Sequence, residues 1–80
     1  MTTVEIEYCV PCGMLPRAQE LQKAVLEEFG ERVDSVALVT GDAGVFTVSV
    51  DDELVYDKEE ETYDEAAIVE RVSERVGAAA

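Results

Sequence analysis

Hydrophobic and polar residues alternate strictly near the start of the chain. In an extended strand, Val4, Ile6 and Tyr8 lie on one side and Glu5 and Glu7 on the other. The pattern therefore predicts a strand over residues 3–8 with one buried face. Similar apolar segments, separated by turns at 41–44 and 51–52, predict three further strands, over residues 34–40, 45–50 and 53–56.

Two other segments carry apolar residues at spacings of three and four, the period of an amphipathic helix. The first predicted helix covers residues 15–29, with Pro16 in its first turn and Gly30 as its terminator. The second begins at the N-cap Asp64 and ends at Gly77, leaving residues 78–80 frayed. The predicted core stripes are Ala18, Leu21, Val25 and Phe29 on the first helix, and Ile68, Val69, Val72 and Val76 on the second.

The order of these elements, β-α-β-β-β-α, limits the possible folds. A strand–helix–strand unit makes the first two strands parallel, and the 45–56 segment forms an antiparallel hairpin, so the simplest sheet has the order 2-1-3-4. Glu5, Glu7, Thr47 and Ser49 give the two central strands a polar face. We therefore expect both helices on the opposite face, in an α/β two-layer sandwich formed by a single domain over residues 1–80, ordered from about 3 to 77.

The charge of the chain restricts its partners and its location. Nineteen acidic residues against six basic ones give a net charge of −13, which repels nucleic acid and anionic membranes. No apolar run approaches the roughly 20 residues of a membrane span, and the N-terminus lacks an export signal, so we expect a cytoplasmic protein. The dense acidic surface is typical of adaptation to a salty cytoplasm, as in a halophilic archaeon. The acidic run over residues 57–62 is predicted to be a solvated connection.

Cys9 and Cys12 form a C-V-P-C motif between the first strand and the first helix. A helix N-terminus stabilises a thiolate, and a C-x-x-C in this context predicts a thiol/disulfide redox pair. Arg17 should add to the lowering of the thiol pKa, and Pro11 should stiffen the loop. We expect no cofactor. The partners would be thiols or disulfides of proteins or small molecules, and the chain a monomer or weak dimer.

Other interpretations of the cysteine pair are possible. The pair could switch the affinity of a protein-binding module without turnover, or the cysteines could simply be small buried hydrophobes. Zinc would need four ligands, and because the chain has two cysteines and no histidine, a zinc protein would have to be a dimer sharing both pairs. We expect no bound metal.

The chain resembles the selenoprotein W-like (Rdx) family of the thioredoxin-like superfamily over residues 3–76. The resemblance rests on the segment Tyr8-Cys9-Val10-Pro11-Cys12-Gly13, on Pro16, on the Phe29-Gly30 helix end and on the third-strand segment Gly44-Val45-Phe46-Thr47-Val48. It implies a thioredoxin-like fold and a redox role, with Gly13 as part of the motif and Cys12 at the position of the family's reactive selenocysteine.

The two cysteines differ in their expected roles. Thioredoxin attacks with its first cysteine, which corresponds to Cys9 here, and we expect Cys9, at the strand end, to be the more exposed. Cys12 lies nearer the helix amides, so the sequence leaves the attacking cysteine open, with Cys9 only slightly preferred. Thioredoxin also places a cis-proline before its third strand, whereas residues 40–44 occupy that region here without a proline. Substrate docking of the thioredoxin kind is therefore not expected.

The charge makes a direct prediction about stability. Because about 1 M salt shortens the Debye length to about 3 Å, high salt should screen the repulsion among the acidic side chains. We expect the melting temperature to fall markedly between molar and millimolar salt, measured by circular dichroism. A melting temperature that does not respond to salt would contradict the halophilic interpretation.

Overall fold

The computed structural model of the protein describes residues 2–79. The element order β-α-β-β-β-α is confirmed. The elements are β1 (Thr3–Cys9), α1 (Leu15–Phe29), a short 3-10 turn (Gly30–Arg32), β2 (Ser35–Gly41), β3 (Phe46–Val50), β4 (Glu53–Asp57) and α2 (Glu65–Ala79).

The ends of both helices agree with the prediction, except for the C-terminal end of α2. Pro16 lies in the first turn of α1, and Gly30 follows its last residue with a φ of 51°. Asp64 caps α2 by accepting a hydrogen bond from the Ala67 backbone N–H. The predicted end at Gly77 is wrong, because α2 continues to Ala79. Alanine has the highest helix propensity, and this offsets part of the cost of an interior glycine; Ala80 lies outside the described residues.

The sheet has the order β2-β1-β3-β4, as predicted. β1 and β2 are parallel, in a register that runs from Thr3 opposite Ser35 to Cys9 opposite Gly41. β1 and β3 are antiparallel, and β3 and β4 form the antiparallel hairpin, with an irregularity at Val48/Ser49. β1 is therefore hydrogen-bonded on both sides.

Both helices pack on one face of this sheet, as the sequence predicts. A single core joins the apolar face of β1 to the helix stripes, including Leu21 of α1 and Ile68 and Val72 of α2. Glu5 and Glu7 are exposed on the other face. Thr47 and Ser49 on that face are half-buried, since each lies opposite one of these longer glutamates in the β1–β3 ladder.

The segment between β4 and α2 is more ordered than the predicted solvated connection. Arg71 of α2 forms an ion pair with Glu61 and also donates a hydrogen bond to the Val55 carbonyl. The Tyr56 hydroxyl donates to the Glu61 carbonyl at 3.2 Å. This segment is thus fastened to both neighbouring elements, while Glu59 and Glu60 remain exposed.

The core makes a testable prediction through two leucines. Leu21 has no exposed surface, whereas Leu54 is 51% exposed. Leu21→Ala should lower the free energy of unfolding by about 2–5 kcal/mol through lost burial and a new cavity. Leu54→Ala is the matched control and should change it by less than about 0.5 kcal/mol. Urea unfolding at constant high salt measures both, and equal effects would refute the assignment of the core.

Candidate redox site

The first cysteine is the last residue of the central strand. Cys9 lies opposite Gly41 in the β1–β2 register. The next residue continues this pairing, because the Val10 backbone N–H donates to the Gly41 carbonyl at 3.0 Å. The sheet therefore holds the start of the cysteine motif in place, and Cys9 has no exposed surface.

A tight turn carries the chain from Cys9 to Cys12 and onward to the helix. The Gly13 backbone N–H donates to the Val10 carbonyl at 3.2 Å, which closes a four-residue turn. Pro11 takes the second position of this turn, where proline is favoured. Gly13 has a φ of 71°, a conformation that favours glycine. The structure thus brings three of the predicted site residues together in one turn, directly after the fourth, Cys9.

Cys9 and Cys12 form a disulfide within this turn, with their Cα atoms 5.3 Å apart. Cys9 is buried and Cys12 is exposed. The expectation that Cys9 would be the more exposed is wrong. Cys9 is still part of β1 and lies opposite Gly41, whereas Cys12 lies in the turn that follows the strand.

The N-terminus of α1 follows the turn directly. Its N-cap, Met14, makes no side-chain hydrogen bond, and the first turn contains no acidic residue. No side chain there neutralises the positive end of the helix dipole, which favours an anion nearby. Cys12 precedes Met14 by two residues, so this environment suits a thiolate at Cys12.

Arg17 contacts the β4–α2 segment. Its guanidinium lies over the ring of Tyr63, 4.5 Å from the ring centroid. Together with Lys58 to Tyr63 it lines an open groove of about 570 Å³ between α1 and the β4–α2 segment. The effect of Arg17 on the cysteine thiols stays a prediction.

Tyr63 is a residue whose importance the sequence did not reveal. Its ring packs edge-to-face against Phe46 at 5.7 Å and against Tyr56 at 6.2 Å. Burial raises the pKa of the Tyr63 phenol to about 12, with a further contribution from Glu65. Within residues 2–79 its buried hydroxyl has no hydrogen-bond partner. An aromatic residue directly after an acidic run could have indicated a buried contact. The charges beside it led instead to the prediction of a solvated connection.

The described residues hold no other evident ligand set. Among residues 2–79, no group of three or more cysteine, aspartate or glutamate side chains is arranged to hold a metal ion. In the same part of the chain, no helix is both long and apolar enough to cross a membrane.

Comparison with known proteins agrees with this geometry. A structure from Bordetella parapertussis superposes with a TM-score of 0.87 at 29% identity, covering 92% of this chain and 96% of that one. A selenoprotein W-related protein from Vibrio cholerae gives a TM-score of 0.86 at 23% identity, covering 94% and 96% respectively, which shows a shared fold. No curated protein matches the chain in sequence.

The fold and the disulfide define a small thioredoxin-like protein with a redox-capable C-x-x-C pair. The sequence model of the Rdx family matches residues 3–74. The chain therefore belongs to the Rdx family, to which selenoprotein W-related proteins belong. The resemblance inferred from the sequence is confirmed at the level of the family.

The raised pKa of Tyr63 predicts an alkaline loss of stability. Because the folded-state pKa of about 12 lies above the ordinary value of 10.0, folding favours the neutral phenol. This contribution is complete below pH 10 and is lost as the pH rises from 10 towards 12. Tyr63→Phe should remove the Tyr63 share of this loss without lowering stability at neutral pH, since the hydroxyl has no partner there.

Melting temperatures of both proteins between pH 8 and 12 would measure the difference. Burial also raises the pKa of Tyr56, so part of the alkaline loss should persist in the variant. Identical pH profiles for the two proteins would contradict the burial of the Tyr63 phenol.

Proposed function

We propose that this protein is a thiol–disulfide redox protein that works through Cys9 and Cys12. The observation that carries the proposal is a disulfide between one buried and one exposed cysteine, at the junction of the central strand and the first helix. Membership of the Rdx family supports the same role in general terms. The proposed targets are disulfides of proteins or of small thiols.

The burial of the two cysteines supports distinct roles for them. Only an accessible thiolate can reach a disulfide on another molecule, and Cys12 is the exposed member of the pair. Cys12 also lies nearer the uncapped N-terminus of α1, which favours its thiolate. We therefore propose Cys12 as the attacking residue, whereas the sequence left the choice open with a slight preference for Cys9.

The proposed reaction begins with both cysteines reduced. The Cys12 thiolate attacks one sulfur of the target disulfide, which forms a mixed disulfide and releases the other target sulfur as a thiolate. Cys9 then attacks the Cys12 sulfur and its proton passes to the departing target sulfur, which closes the Cys9–Cys12 disulfide and releases the second target sulfur as a thiol. Two electrons pass from the protein to the target. An external thiol must then reduce the pair again.

The buried position of Cys9 suits the resolving step. Cys9 is fixed at the end of β1, and the Val10–Gly13 turn holds the two Cα atoms 5.3 Å apart in the disulfide. Attack by Cys9 on Cys12 is therefore intramolecular and strongly favoured over escape of the mixed disulfide. The partner must reach only the exposed turn, and Cys9 need not contact it.

Single cysteine variants test this proposal. Cys9→Ser retains the proposed attacking thiol but cannot resolve, so it should accumulate mixed disulfides with a model disulfide. Cys12→Ser, the matched control, should accumulate far fewer because its remaining thiol is buried. Mass spectrometry under non-reducing conditions distinguishes the two. Accumulation by Cys12→Ser instead would reverse the roles, and a wild-type pair that never closes under mild oxidant would end the redox proposal.

A binding module switched by oxidation is the second candidate. Val10, 49% exposed, and Leu15, 42% exposed, flank the exposed Cys12 and offer apolar surface to a protein partner. Capture of a partner that depends on oxidation, without catalytic turnover of a disulfide by a recycling reductant, would favour this candidate.

We further propose that the protein works in a salty cytoplasm. The supports are its net charge of −13 and the many acidic side chains that remain exposed, such as Glu27, Glu28 and Glu70. The salt dependence described above is the relevant measurement.

A further inference from the structure

The outer edge of β2 carries none of the usual protection of a sheet edge. β2 and β4 are the two edge strands. Natural sheets guard such edges with charges, prolines or bulges, because an open edge can pair with another strand. β4 has Glu53 and Asp57 and an irregular pairing with β3. The seven residues of β2, SVALVTG, contain no charge and no proline, and their register with β1 is regular.

The backbone groups that face outward from β2 can be assigned. The Gly41 carbonyl accepts a hydrogen bond from the Val10 N–H and therefore points towards β1. The backbone groups of every second residue before Gly41 point the same way. The backbone N–H and carbonyl groups of Val36, Leu38 and Thr40 point towards the open edge instead. The Gln22 side chain of α1 donates to the Val36 carbonyl at 2.7 Å and so occupies one end of the edge. Within residues 2–79, Leu38 and Thr40 have no strand on this side.

The flank of α1 beside this edge is also uncharged. Leu15, Gln22 and Leu26 are spaced by seven and four residues, so they lie along one side of the helix. The hydrogen bond from Gln22 to β2 identifies that side as the one next to the open edge. Leu15 is 42% exposed and Leu26 is 44% exposed. The edge and the flank together form a continuous uncharged strip on a chain in which 31% of the residues are charged.

We propose that this strip is a dimer interface, in which β2 pairs antiparallel with β2 of a second copy of the chain. Two chains of charge −13 repel each other over most of their surfaces. The uncharged strip is a place where two copies can approach closely with few carboxylates between them. Strand pairing there would form one continuous eight-stranded sheet from the two four-stranded sheets.

The free backbone groups select one register. With the twofold axis at Val39, Leu38 of each copy lies opposite Thr40 of the other. The N–H groups of both residues then donate across the interface to the carbonyls of their counterparts, and the Val36 carbonyl keeps its bond to Gln22. Every outward carbonyl from Val36 to Thr40 therefore has a partner in this register.

This register determines where the Val39 side chain lies in the dimer. It also determines where the redox turn lies, that is, the Val10–Gly13 turn that contains Cys12. The two Val39 side chains meet directly on the open face of the sheet, with Cβ atoms roughly 4.5–5.5 Å apart. The two β2 strands run in opposite directions, so the two redox turns lie at opposite ends of the strands in the joined sheet. Each exposed Cys12 therefore remains accessible in the dimer.

Charge substitutions at Val39 test both the interface and its register. Wild-type protein with its disulfide closed should sediment in molar salt as a dimer, twice the 8.7 kDa chain mass. Val39→Glu should weaken dimerisation by at least about tenfold, since it places like charges directly opposite each other. Val39→Lys should do the same, and a one-to-one mixture of the two variants should restore a dimer. Ser49→Glu is the matched control, because Ser49 lies beside Glu5 in the sheet as Val39 lies beside Glu7.

Each outcome decides the proposal. A wild-type monomer at every concentration overturns it, as does a dimer unaffected by Val39→Glu. A mixture of the Glu and Lys variants that stays monomeric overturns the register. If the variants do not fold, amide exchange of the wild type decides. The Leu38 and Thr40 amides should become protected only at high protein concentration, while those of Ala37 and Val39, bonded to β1, are protected throughout.

Discussion

The central strand β1 is the constraint on which the rest of the structure depends. It is hydrogen-bonded to a parallel neighbour on one side and an antiparallel neighbour on the other, so its register sets both. Its side chains alternate between the core (Val4, Ile6, Tyr8) and the open face (Glu5, Glu7). A slip of one residue would bury the two glutamates, which makes the register strongly specified. The same register carries Cys9 to the end of the sheet, where the redox turn begins.

The sheet order and helix faces could be predicted because they depend on local patterns. The alternation of β1 and the three–four spacing of α1 each identify a buried face, and the strand–helix–strand connection then leaves few arrangements. The position of the redox pair could be predicted for the same reason, since it follows directly from a strand end and a helix start. The exposure of each cysteine could not. Cys9 ends β1 opposite Gly41 of β2, a residue distant in sequence, whereas Cys12 lies in the turn after the strand, and no local pattern reports this difference in burial.

The β4–α2 segment shows a second limit of local patterns. Its run of acidic residues indicates a solvated connection, and its three glutamates are indeed exposed. Its order comes from contacts with distant elements: Glu61 with Arg71 of α2, and Tyr63 with Phe46 of β3 and Arg17 of α1. The two residues of each pair lie in different elements and belong to no common helix or strand period. Local sequence patterns therefore cannot predict these contacts. These contacts also place Arg17 at the groove between α1 and this segment.

The distribution of charge determines which parts of the surface can contact other molecules closely. An acidic surface of this density keeps molecules apart, so any close contact must occur where carboxylates are scarce. Two such places lie next to β1. One is the redox turn, where Val10, Pro11 and Leu15 surround the exposed Cys12 with apolar groups. The other is the edge of β2 with the adjoining flank of α1. A disulfide exchange needs a brief encounter, which a small turn can support, whereas the longer strip offers backbone hydrogen bonds and suits a lasting contact. The two surfaces share Leu15, but Cys12 is not part of the strip, so the dimer contact proposed above would leave the proposed thiol chemistry free.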